Sequence, residues 1–72
     1  SWTGTRLSTT ERRETRWHSH AGVQVFCIQA GTLTLETRRG SWVVPPGRLA
    51  WIGAGIEHAA SSFGALAGWS VY

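Results

Sequence analysis

The 72-residue sequence contains no lysine, no aspartate and no methionine, and it has one cysteine. Each absence narrows what the chain can be. With glutamate supplying all four carboxylate side chains, candidates for a catalytic carboxylate pair are few. Cys27 cannot close an intramolecular disulfide, and its place in the apolar run Val25-Phe26-Cys27-Ile28 suggests a buried structural thiol. No apolar run approaches the roughly 20 residues that a membrane helix needs, and no secretory signal pattern is visible. The expectation is therefore a cytoplasmic protein without a membrane partner. The lack of methionine, with Ser1 as first residue, suggests one piece of a longer gene product. All seven basic residues are arginine and the net charge is +3, yet Arg12 and Arg13 are flanked by Glu11 and Glu14. That is a mixed solvated surface, and no amphipathic helix is available to read DNA.

What the chain does have is short apolar or alternating runs between Gly and Pro punctuation, the pattern of an all-β sandwich or barrel. Strands are expected near 2–7, 13–17, 22–29, 32–37, 41–44, 48–52, 57–62 and 65–72, in one small domain spanning residues 1–72. Ala30-Gly31 and Arg38-Arg39-Gly40 each stand between two strand-like runs at hairpin spacing. Pro45-Pro46-Gly47 ends a strand, because proline cannot donate to a ladder and glycine permits a sharp return. A chain this short closes only a modest core. Its five tryptophans are expected mostly in that core or at an interface, with one or two on a ligand pocket wall.

The residues that could carry chemistry are the three histidines. His18 and His20 are two apart, so on a strand both face the same side, and Gln24 keeps that parity. His58 follows the glycine-rich turn Gly53-Ala54-Gly55 and could return to the same pocket. Convergence would place three imidazoles and an amide at one barrel mouth, a donor set suited to a first-row transition metal. A hydrogen-bonded, metal-free cluster is the competing reading. Glu57 is the one acid/base candidate beside a histidine, but alternation turns it away from His58, toward solvent or an arginine.

The spacing of these residues resembles the two motifs of the cupin superfamily. His18-x-His20, then Gln24, then Gly31 resemble the first motif; Gly47, Gly53-Ala54-Gly55 and His58 resemble the second. Three departures stand out: Gln24 replaces the usual glutamate, Gly53 the usual proline, and Ser62 the closing asparagine. The run Trp42-Val43-Val44-Pro45-Pro46-Gly47-Arg48-Leu49-Ala50-Trp51-Ile52, with Gly55-Ile56-Glu57-His58 after it, is similar to the N-terminal cupin of AraC-type transcription regulators, where a glutamine at position 24 is ordinary. The resemblance implies a cupin-type double-stranded β-helix, a small jelly-roll barrel. It also implies a small-molecule effector, a homodimer, and DNA contact only through a separate helix-turn-helix domain outside these residues. A divalent transition metal (Zn, Ni, Fe or Mn) would sit on His18, His20, Gln24 and His58, with Trp17, Phe26 and Trp51 as candidate walls of the ligand site. The alternative is a small metal-dependent cupin enzyme of the dioxygenase or isomerase type.

Overall fold

In the computed structural model, residues 3–72 are described, and among them all regular structure is strand. Eight strands follow one another: β1 (Gly4–Thr9), β2 (Arg13–Glu14), β3 (Gln24–Ala30), β4 (Leu33–Thr37), β5 (Gly40–Val44), β6 (Leu49–Ile52), β7 (His58–Ser62) and β8 (Leu66–Val71). They form two four-stranded antiparallel sheets, ordered β1-β8-β3-β6 and β2-β7-β4-β5. Successive strands mostly alternate between sheets, which is the jelly-roll arrangement expected from the sequence. Trp2, assigned to the first strand, lies outside the described residues.

The interior is built by period-two alternation. Gln24, Phe26 and Ile28 on β3, Leu33 and Leu35 on β4, and Leu66 on β8 point inward and are buried, joined by Val44 and Ile52. Leu7, Ala50 and Ala60 pack against this cluster. Each large aliphatic or aromatic side chain fully buried here stabilises the fold by about 1.5–3 kcal/mol.

Several expectations need correction. Ala30-Gly31 does not close a hairpin, because β3 and β4 belong to different sheets. It is a corner between sheets: Gly31 has φ +79°, and a Cβ there would overlap the backbone of Ala65 and Leu66. Arg38-Arg39 does turn a true hairpin, pairing β4 with β5 from Leu33↔Val44 to Thr37↔Gly40. Beyond Pro45-Pro46, Gly47 (φ +83°) donates to the Ile28 carbonyl at 2.8 Å and returns the chain to the first sheet. None of the described tryptophans belongs to the core. Trp51 and Trp69 occupy outward positions, and Trp42 lies on an edge strand, so all remain at least 40% exposed. Cys27 likewise has outward parity on β3 and is only half-buried.

Candidate functional site

Backbone pairing draws the three histidines together. His18 lies between β2 and β3, not on a regular strand, and forms an isolated antiparallel bridge with His58, the first residue of β7. The His18 amide donates to the His58 carbonyl at 2.9 Å, and the His58 amide returns the bond at 2.8 Å. Two residues on, the His20 carbonyl accepts from the Gly55 amide at 2.8 Å. Gly55 has φ +74°, a conformation that disfavours any side chain, so this turn needs its glycine. Thus the Gly53-Ala54-Gly55 turn both reverses the chain into β7 and pins His20. Ring centroids lie 4.9 Å apart for His18–His20, 4.5 Å for His18–His58 and 5.5 Å for His20–His58.

Hydrogen bonds orient the rings. The Arg16 carbonyl lies 2.6 Å from His18 Nδ1, and the Ile56 carbonyl 2.9 Å from His58 Nδ1. A carbonyl only accepts, so each Nδ1 carries the proton, and in the neutral rings each Nε2 carries a lone pair. Backbone carbonyls hold metal-ligating imidazoles in this manner. Gln24 is buried beside them: its Nε2 donates to Ser70 Oγ at 2.7 Å, and its Oε1 stands 3.2 Å from His58 Nε2. Two lone pairs facing one another at that distance are reconciled by an imidazolium proton, by a cation held between them, or by an amide turned to donate to His58.

His20 Nε2 is buried and has no hydrogen-bond partner. Burial first, then the charge of His18 and His58, holds its pKa below the usual 6.5. This favours the neutral form of His20, the form that metal ligation requires. One ring nitrogen from each histidine lies within 4.8 Å of the others. Nitrogens sharing a tetrahedral ion stand about 3.3 Å apart, a gap that modest ring rotation closes. The donor set thus fits a first-row divalent ion.

The cluster borders a cavity of about 440 Å3 whose lining includes residues of β1 and β2, the hydrogen-bonded group of Gln24, His58 and Ser70 with His18, and the apolar Phe26, Leu33 and Leu66. Of the expected wall residues, Phe26 lines this cavity, whereas Trp17 and Trp51 do not. Trp17 lies under the Arg38 guanidinium, 4.0 Å from its ring centroid, and Arg38 also binds Glu57 at 2.8 Å. Trp51 has outward parity beside inward-facing Ile52 and borders a second, wider hollow between edge strands β5 and β6. Sequence reasoning gave no site role to Ser70 or Tyr72 and met Ser62 only as the departure from the second motif's closing asparagine. Ser70 anchors Gln24, and the Tyr72 ring meets His20 edge-on at 5.1 Å. Ser62 is 2% exposed, lines the cavity and has an unpartnered Oγ. Parity carried that signal, since Ser62 shares the inward register of His58, and Ser70 that of Leu66.

Comparison with known proteins adds three findings. The family model described as AraC-like ligand binding domain matches residues 5–72. No curated protein matches the chain. Among solved structures, a cupin-2 domain-containing protein from Shewanella frigidimarina is 22% identical with a TM-score of 0.87, over 99% of this chain and 69% of its own. A cupin superfamily protein from Desulfitobacterium hafniense is 13% identical with a TM-score of 0.89, over 97% of this chain and 64% of its own. A protein of unknown function from Streptococcus pyogenes is 24% identical with a TM-score of 0.89, over 97% and 61%. At these identities the structures establish the cupin double-stranded β-helix fold, and the chain spans about two thirds of their length.

Proposed function

The chain belongs to the family of AraC-like ligand-binding domains, and from that premise we propose that it is the small-molecule-sensing and dimerisation domain of a cytoplasmic bacterial transcription regulator. The effector enters the cavity between β1 and β2 and meets the polar end formed by His18, Gln24, His58 and Ser70, with Phe26 against its apolar part. DNA contact belongs to a separate helix-turn-helix domain. The observation that carries this reading is the buried polar chain His58–Gln24–Ser70 at the end of an open cavity, beside the unpartnered His20 nitrogen. A fold this small gains nothing in stability from an unsatisfied buried nitrogen.

His18, His20, His58 and Gln24 would hold a divalent ion such as Zn, Ni, Fe or Mn. When bound, it supplies a Lewis-acid contact for an oxygen or nitrogen of the effector. A binding role is favoured over an enzymatic one by the carboxylates. Glu57, the acid/base candidate nearest in sequence, is bound to Arg38, and its side chain is half exposed. The protein's own contribution is to orient the imidazoles, to favour the neutral form of His20, and to exclude water with Phe26, Leu33 and Leu66.

Elemental analysis of protein purified without chelator, set against His20→Ala, tests the metal. Bound metal in the wild type and its loss in the variant are expected; equal content, or none in either, turns the cluster into a polar ligand contact. Dimerisation rests on the exposed edge strands β5 and β6 with Trp42, Val43, Leu49 and Trp51. Light scattering giving a monomer mass at micromolar concentration would remove that part.

A further inference from the structure

The rim of the ligand cavity carries a feature that the histidine cluster does not explain. Arg13 on β2 and Ser62 on β7 are directly opposed in the antiparallel register. Opposed residues put their side chains on the same face, with Cβ atoms about 4.5–5.5 Å apart. Ser62 faces the interior, so Arg13 stands over the cavity mouth beside it. Both line the cavity. The Ser62 hydroxyl has no hydrogen-bond partner although it is 2% exposed. Among the described residues Arg13 has no acidic partner; the ion pair present is Arg38–Glu57. The other charged groups of the rim are differently engaged. Arg6 leans over the Trp69 ring at 5.5 Å; Glu14 also lines the cavity, but it stands opposite Ser61 and has the other parity from Arg13.

A free guanidinium beside an unpartnered buried hydroxyl is a recognition pair for a carboxylate. The planar fork matches two carboxylate oxygens, and the hydroxyl donates a further bond. Next to them the cavity is apolar, floored by Phe26, Leu33 and Leu66. Its volume of about 440 Å3 lies in the range of small-molecule sites, about 300–1,000 Å3. Resting on the reading of this cavity as the effector site, we propose that the effector is a small monocarboxylate with an apolar body. Its carboxylate is held at the rim by Arg13 and Ser62, and its body runs inward along Phe26, Leu33 and Leu66 toward the histidines.

Hexanoate and phenylacetate, with their neutral counterparts hexanamide and phenylacetamide, are suitable probes. Each is titrated into the 15N-labelled chain while backbone amide shifts are followed. The acids are expected to shift the amides of Arg13, Ser62 and Leu66 and to bind at least about tenfold more tightly than the amides, the effect of one charge-assisted hydrogen-bond pair. Arg13→Gln should bring acid and amide to equal affinity, and Ser62→Ala should narrow the gap while leaving amide binding unchanged. Both substitutions conserve the fold, since Arg13 is exposed on an edge strand and alanine fits where serine did. Equal affinity of acids and amides in the wild type overturns the carboxylate assignment and leaves the cavity as an effector site. An acid preference that survives Arg13→Gln places the carboxylate at the histidines and overturns it as well. Shifts from neither class overturn both the assignment and the reading of the cavity.

Discussion

Ser70→Ala probes the buried polar chain with the least other disturbance. Ser70 is 1% exposed, and its Oγ accepts from Gln24 Nε2 at 2.7 Å. The substitution removes one oxygen atom and leaves the strand, its register and the apolar floor intact. Gln24, 4% exposed, then keeps a buried amide hydrogen without an acceptor. Such an orphaned group costs about 1–3 kcal/mol. For a domain of this size, 1 kcal/mol moves Tm by about 4–8 °C, so a fall of roughly 5–20 °C is expected. Urea unfolding followed by tryptophan fluorescence should show a lower midpoint at unchanged slope. Gln24→Leu alone strands Ser70 Oγ and His58 Nε2. Joining it to Ser70→Ala removes both ends of the first bond, so the pair should be coupled by about 1 kcal/mol or more. Stability of Ser70→Ala within about 0.5 kcal/mol of wild type, or strict additivity in the double variant, would refute the claim that Gln24 is fixed by Ser70.

Three further outcomes follow from the geometry. Gly31→Ala, with φ +79° and a Cβ that overlaps Ala65, should destabilise by more than about 2 kcal/mol; Gly64→Ala, with open space around its Cβ, should stay within about 0.5 kcal/mol, both read by thermal melting. Because the folded chain holds the His20 pKa below 6.5, the unfolded chain takes up that proton first as pH falls. Stability should therefore be full above about pH 6.5, decline as pH falls through the folded-state value, and level off below it; in His20→Gln the part due to this group should vanish from a urea-midpoint series. The residues described here hold no recognition helix and their arginines are dispersed, so this chain alone should bind DNA only weakly and salt-sensitively. A sequence-specific shift of an operator fragment by it would contradict that.

Strand count and order were legible because alternation is a local signal: Gln24-Val25-Phe26-Cys27-Ile28 alternates inward and outward as its sequence suggests. Sheet membership was not legible. Ala30-Gly31 has the length of a hairpin, and only the close approach of Ala65 shows that Gly31 carries the chain between sheets. Size misled for the tryptophans, because the interior of so short a chain is filled by Phe26, Leu35, Ile28 and their neighbours, leaving the larger rings outside. The histidine spacing was readable, although its mechanism was not strand parity: a backbone bridge joins His18 to His58, and the Gly55 amide fixes His20. Ser70 and Arg13 stayed hidden, and Ser62 stood out only as a departure from a motif, because serine and arginine are ordinary surface residues until register shows what they face.

The central claim is that the histidine cluster is a preformed, ion-holding end of a ligand cavity. Imidazole nitrogen NMR during titration with zinc alone tests it most directly. At one equivalent, the lone-pair nitrogens of His18, His20 and His58 should shift together, while Nδ1 of His18 and of His58 keep the protons donated to Arg16 and Ile56. Unchanged imidazole resonances, or three rings responding independently at different zinc levels, would contradict the account.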